Sequence, residues 1–392
     1  MSETSYDVVI IGAGASGLMA AMQAAGRGRR ALVIDHAVSA GKKMRLSGGG
    51  KCNITNLHIS VSDYFGMDRM FCKYALNRFP SASVIHLLRE AQIVTEERDY
   101  GRIFCKNNAH EIVDYLVRTA EQLGVHFLMN TKVSEVVHDN DAFVIKCEMQ
   151  SFMAKRLLIA TGGLAWPQVG ATGLGYAIAK QFGHTIIPTK PALAGFVLPH
   201  ASPLRNLQGI SLPVRLQIKG QHQTINEPLL FTHQGISGPA ALQVSCFWNT
   251  DDTILIDFLP ADDIISQMHR PENGKLLVRK LIARLLPERL VVSLIPEQLC
   301  DRKVAGLSRN DRTVIAGAIH AYPVLPAAVE CFEKAEVTLG GISTRELNPK
   351  SMESLLLKGL YFCGEVIDIT GRLGGYNIHW AFASGFVAGI YI

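Results

Sequence analysis

GAGASG occupies residues 12–17, and the reading of the whole chain works outward from it. The run before it, residues 6–11, is apolar and rich in β-branched side chains, as a strand buried on both faces of a parallel sheet should be. After it, residues 15–28 place Leu18, Met22 and Ala25 at helical spacing among strong helix formers, and Gly26 and Gly28 stop the helix. A second apolar stretch, residues 31–34, ends at Asp35. Strand, glycine turn, helix, strand and acid in this order form a dinucleotide fingerprint. Gly12 permits the tight turn, Gly14 lets backbone approach a pyrophosphate, and Gly17 lets helix and strand lie close. The helix start offers free N–H groups to phosphate, and Asp35 is placed to accept ribose hydroxyls.

The far end of the chain says which dinucleotide. Residues 360–363 read as a strand, followed by glycines and an alanine-rich helix beginning near Gly375. A dinucleotide domain that receives a second glycine-lined helix start suits a ligand longer than NAD. In FAD the first helix takes the pyrophosphate and the second faces the flavin edge where negative charge collects on reduction. Between the two ends, SGGGKCN (residues 47–53) supplies a loop able to lie along an extended ligand. Lys42, Lys43 and Arg45 before it either neutralise phosphates or form a solvated basic loop. Cys52 is read as a small packed residue, with a redox-active thiol as the alternative.

The rest of the chain bounds the class. With 392 residues, 48% hydrophobic and 19% charged, it is a globular protein long enough for more than one core. A formal charge of +5 from scattered Lys and Arg demands neither nucleic acid nor a membrane surface. Eight spread cysteines without a C-x-x-C pair suggest neither a disulfide framework nor a metal site, and a cytoplasmic enzyme is expected. Residues 125–137 read as strands paired around a turn, residues 155–163 as a buried strand, and residues 170–184 as containing a short helix. From about residue 188 alternating patterns such as LPVRLQIKG (residues 212–220) indicate antiparallel strands. Residues 261–330 then read as helical, with residues 275–286 as an amphipathic helix.

Taken together, GAGASG, GKKMRLSGGGKCNITN, ATGGLAWP, LLFTHQGISGPAAL, AEVTLGGIS and GLYFCGEVIDITGRLGGYNIHWA resemble the YhiN/BaiN-like family of FAD-dependent flavoproteins nearly end to end. The resemblance implies an α/β fold: a Rossmann-like FAD-binding domain of the glutathione-reductase type with an inserted β-barrel and helical domain. The implied boundaries are 1–188 and 335–392 for the FAD domain and 189–334 for the insertion, barrel to 260 and helical beyond. It implies noncovalent FAD held by Gly12, Ala13, Gly14, Ala15, Ser16, Gly17, Asp35, Lys42, Lys43, Ser47, Gly48 and Gly49. Val133 meets the adenine through its backbone, Glu365 meets the ribityl chain, and Asn377 and Ile378 present N–H groups to the flavin. Thr161, Gly162, Gly364, Gly375 and Tyr376 complete the implied set. Position 379 is His where the family pattern has Gln.

The expected reaction is hydride transfer through flavin N5 between NAD(P)H, or a reduced substrate, and an organic small molecule. Without a second fingerprint, NAD(P)H would be a transient donor. His233, Arg102 and Arg372 are the candidate catalytic side chains, His233 as proton donor near neutral pH, with structural roles the alternative for each. A flavin-dependent RNA-modifying or RNA-associated protein is the rival reading, which scattered charge does not favour.

Overall fold

The computed structural model describes residues 4–392, and it divides into two compact units. One comprises the described residues up to Pro191 together with Glu336–Ile392; the other is Ala192–Ala335. At the heart of the first unit the strands His126–Leu128, Ala31–Ile34, Thr4–Ile11 and Ser151–Ile159 pair in parallel in that order. The apolar runs 8–11, 31–34 and 157–159 are buried on both faces, which is why they read as continuous rather than alternating. Ser151–Ile159 forks. Its first half pairs antiparallel with Ala142–Cys147, and its second half pairs in parallel with Leu360–Phe362 from the far end of the chain.

The segment 125–137 departs from its sequence reading. His126–Leu128 and Val133–Asp139 are both strands, but the first pairs with Ala31–Ile34 and the second with Ala142–Cys147, not with each other. Periodicity identifies a strand; it does not choose the partner.

Helix Ala15–Ala25 is buried on nearly every side, only Gln23 among its residues being partly exposed. It lies against the C-terminal helix Tyr376–Tyr391 through small residues. A Cβ on Gly385 would meet the Ser16 carbonyl oxygen at 2.3 Å, and one on Gly389 the Ala20 oxygen at 2.6 Å. These glycines cost helix propensity of about 1 kcal/mol each, and the close helix contact requires them.

In the second unit a seven-stranded sheet runs from Tyr322–Val324 through Ile254–Asp257, Ser211–Ile218, Thr224–Phe231, Gly235–Ser237 and Phe196–Val197 to Ala328–Val329. Laid flat at a spacing of about 4.8 Å, the outer strands would stand roughly 29 Å apart. Residues 325–327 join them and reach at most about 14 Å. The sheet therefore curls on itself. Two of its strands fall within the stretch expected to be helical, so the helices are an excursion from the sheet, not its sequel. The amphipathic stretch 275–286 holds only one short helix, Val278–Ile282. Leu277 bridges to Lys303 in extended form, and Pro287 disfavours helix at the residue before it.

Among the described residues, no helix is long and apolar enough to cross a membrane, and no group of three or more His, Cys, Asp or Glu stands ready to hold a metal ion.

Candidate functional site

The glycine turn leaves the first strand at Gly12, whose φ of +114° and hypothetical Cβ at 2.4 Å from the Ala160 oxygen exclude any side chain. Gly17 is excluded by its own turn, since a Cβ there would sit 1.9 Å from the Gly12 oxygen. Gly14 differs. A Cβ on it would meet nothing within 4 Å, so its backbone borders open space in the protein. No side chain caps the helix that starts there, and no acid sits in its first turn, where Ala15 and Ser16 lie. That combination suits an anion. Asp35 fixes the turn: its carboxylate accepts the N–H of Ala13 at 2.7 Å and of Ala37 at 2.8 Å. Thr131 donates its backbone N–H to the Asp35 carbonyl, which brings the segment leading to Val133 beside the acid.

Gly41 donates to the Ala13 carbonyl and ties the basic segment to the same turn. In the helix Lys42–Leu46, Lys43 Nζ lies 2.9 Å from Glu365 Oε2, while Lys42 is partly exposed. Arg45 is committed elsewhere, to Asp114 at 2.7 Å and to His110 on the helix His110–Gln122. The Ser47 hydroxyl donates to the Met44 carbonyl, and Gly48 and Gly49 follow in left-handed conformation. Glu365 receives the backbone N–H of Thr338 on its other oxygen at 2.7 Å. The Thr338 hydroxyl in turn accepts the N–H groups of Leu164 and Ala165, just past Thr161 and Gly162. A Cβ on Gly364 would press on the Ser16 hydroxyl, so the CGE motif lies against the start of the first helix.

Two buried hydroxyls in this neighbourhood, on Thr161 and Tyr176, have no protein partner. Burial, with Glu365 and Asp368 nearby, pushes the Tyr176 phenol far above its ordinary range. Buried hydroxyls without partners are costly. Together with the open flank of Gly14 and two helix starts without acid, they fit a polar cofactor of the FAD kind.

The second helix start repeats the first in different materials. Gly375 caps Tyr376–Tyr391 with φ of +96°, no side-chain cap and no acid in the first turn. Asn377 folds its amide back, accepting from the Gly371 N–H and donating to the carbonyls of Gly371 and Arg372. Ile378, next along the helix, packs against the core of this unit. Asn56 donates to the Gly374 carbonyl at 3.0 Å.

Arg102 and Arg372 converge here. Arg372 pairs with Asp63 at 3.3 Å, and Arg102 lies against Gly374 with its guanidinium 5.2 Å from the Tyr100 ring. Both arginines oppose the rise that burial imposes on the Tyr376 phenol. His233 belongs to the other unit, where it is exposed in the turn before Gly235–Ser237 and its carbonyl accepts from Arg205. Cys52 is fully buried and its thiol is pushed up to about 11 by burial, so it stays protonated and packs. His379 is buried and neutral, its Nδ1 2.9 Å from the Thr55 hydroxyl, with burial lowering its pKa to about 4. Sequence reading missed Asn56, Asp63, Thr338 and Tyr176; polar residues inside otherwise buried strands were the only available signal for the first and third.

A family model described as HI0933-like protein Rossmann domain matches residues 6–391. The chain belongs to this family. A curated relative from Escherichia coli (strain K12), ribosomal RNA dihydrouridine synthase, is 38% identical over 97% of this chain and 96% of its own length. Another, the 3-dehydro-bile acid delta(4,6)-reductase of Clostridium scindens, is 29% identical over 97% of each chain. Among solved structures, the quinol fumarate reductase FrdA of E. coli superposes with a TM-score of 0.53 at 18% identity, covering 100% of this chain and 70% of that one, a likeness of fold. The resemblance drawn from the motifs thus stands: the fold is Rossmann-like and FAD-binding, and the family member is an FAD-dependent oxidoreductase.

Proposed function

We propose that this oxidoreductase saturates a carbon–carbon double bond conjugated to a carbonyl, and that its acceptor is a uracil ring in RNA. One observation carries the reading: two relatives that each span the chain end to end bear names describing one kind of chemistry on different substrates. Dihydrouridine arises when the uracil C5=C6 bond, conjugated to the C4 carbonyl, gains two hydrogens. A delta(4,6)-reductase of a 3-oxo steroid does the same to an enone. The relative at 38% identity favours uracil over steroid, reversing the preference that scattered charge suggested.

Bound and reduced, FAD would supply a hydride. The chain's residues do the remainder. Gly14 and the uncapped start of the first helix would receive the pyrophosphate, Asp35 and the Val133 backbone the adenosine half, and Glu365, Thr161 and Tyr176 the polar chain between. Arg102 and Arg372 stabilise the negative charge that collects on the acceptor's carbonyl oxygen when its β-carbon takes hydride, and a proton drawn from solvent then completes the α-carbon. NAD(P)H would be the transient source of that hydride.

The test is to incubate the FAD-loaded protein with NADPH and either deproteinised ribosomal RNA or a 3-oxo-Δ4 steroid. The expected outcome is uridine gaining two hydrogens, read by nucleoside mass spectrometry. Reduction of the steroid alone would transfer the assignment to the small-molecule reading, and reduction of neither would refute the proposed chemistry.

A further inference from the structure

Resting on the conjugated-bond reading above, we propose that Tyr376 is the catalytic residue through which the solvent proton reaches the acceptor's α-carbon. Tyr376 takes the first position of the C-terminal helix. It is 9% exposed, yet its hydroxyl meets no hydrogen-bond partner among the described residues. Nor is that hydroxyl sealed from solvent as those of Thr161 and Tyr176 are. A buried phenol ordinarily finds a partner for its O–H. Tyr64, beside it, does so: it is 1% exposed and donates to the Tyr376 carbonyl at 3.1 Å. The Tyr376 proton is left uncommitted at the edge of accessible space.

The ring has a fixed seat. Tyr64 packs edge-on against it, the centroids 6.2 Å apart and the planes at 80°. Gly371 makes the room, since a Cβ there would meet the Tyr376 Cβ at 2.6 Å, and Asn377 ties Gly371 to the helix start in both directions. Charge then sets what the phenol can do. Burial, with Asp63 after it, raises its pKa above the ordinary value, so the proton is present at neutral pH, while Arg102 and Arg372 oppose the rise. These are the arginines assigned above to the acceptor's carbonyl oxygen. Phenol and oxyanion therefore share one pair of cations. Once the β-carbon holds hydride, the enolate's electron pair forms the new C–H bond at the α-carbon, which is C5 in a uracil ring. The phenol O–H breaks and the carbonyl re-forms. The phenolate left behind lies in the field of both arginines and regains its proton from water.

The experiment separates protonation of carbon from electron transfer. FAD-loaded protein is reduced anaerobically with stoichiometric dithionite. It is then mixed with a carbon acceptor, deproteinised ribosomal RNA or the 3-oxo-Δ4 steroid, whichever wild type reduces, or with ferricyanide, which takes electrons and no proton on carbon. Tyr376→Phe keeps the ring and removes no hydrogen bond among the described residues, so its melting temperature and flavin absorbance should match wild type. With ferricyanide its flavin should reoxidise at the wild-type rate. With saturating carbon acceptor it should reoxidise about 10²- to 10⁴-fold more slowly, the half-saturating acceptor concentration changing little. Equal rates for the two proteins with the carbon acceptor would overturn the role of Tyr376 and leave the conjugated-bond reading standing. Slowing by the same factor with ferricyanide would overturn it as well, because the hydroxyl would then act on the flavin and not on the acceptor. If wild type reduces neither RNA nor steroid, the reading and the proton donor fall together.

Discussion

The two glycine turns that open the first and last long helices do similar work by different means. In the first, the forbidding contacts are local or come from the adjacent strand: Gly17 against the Gly12 oxygen, Gly12 against the Ala160 oxygen. In the second they come from distant segments: Gly375 would press on the Thr55 oxygen at 2.4 Å, and Gly374 on Arg102. The first is held by a carboxylate, Asp35, and the second by two amides, Asn377 and Asn56. A turn whose constraints are local is written in a short motif, whereas one whose constraints are tertiary can be read only once its neighbours are known.

The largest effects should therefore come from adding a Cβ where backbone already sits. Gly17→Ala drives a methyl into the Gly12 oxygen, and Gly375→Ala drives one into Thr55 at a left-handed position. Each should destabilise the protein by more than about 3 kcal/mol, seen as loss of soluble protein or a collapse in melting temperature. Normal stability of Gly17→Ala would break the local half of the comparison, and normal stability of Gly375→Ala the tertiary half.

Gly14→Val separates folding from binding. Its side chain enters open space, so the variant should fold and melt near flavin-free wild type, yet its bulk occupies the approach to the turn. Purified Gly14→Val is expected to lack the flavin band at about 450 nm. Stoichiometric flavin in that variant would show that the ligand does not approach this turn.

How far the sequence carried follows from the same distinction. The parallel core, both glycine-led helix starts and the Asp35 position were legible, because each depends on spacing within a short window. The partners of strands 126–128 and 133–139 were not, since period-two patterning is silent about which neighbour supplies hydrogen bonds. Nor was the clustering of Arg102, Arg372, Asp63 and Tyr376, assembled from three stretches far apart in the chain. In the sequence Arg45 reads like Lys43 as a phosphate ligand, and the position of Asp114 sets it apart.

The second turn also carries a pH signature absent from the first. His379 resists protonation down to about 4, whereas in the unfolded chain it titrates near 6.5. Between those values the unfolded state binds the extra proton, so stability falls as pH drops through that window, by about 3 kcal/mol at its lower end. Asp368, raised to about 6 by burial, contributes with the opposite sign, so the difference between wild type and His379→Gln isolates the histidine. Melting temperatures of the two should diverge progressively below pH 6.5, the glutamine variant losing less. Parallel curves would mean that the imidazole takes up its proton without unfolding.

The smallest expected effect lies where the two ends of the chain are joined. Lys43 follows the first turn and Glu365 precedes the second, and their ion pair is partly exposed, 35% and 17%. Pairs of this kind contribute roughly 0.5–1 kcal/mol and weaken with salt. Lys43→Met should lower stability by that amount at low ionic strength and by less in high salt. Adding Glu365→Gln should restore part of the loss, because the unpaired carboxylate, and not the missing lysine, is the costly element. A double variant no more stable than Lys43→Met would mean that the lysine acts through something other than Glu365, and the two turns would then be independent of each other electrostatically.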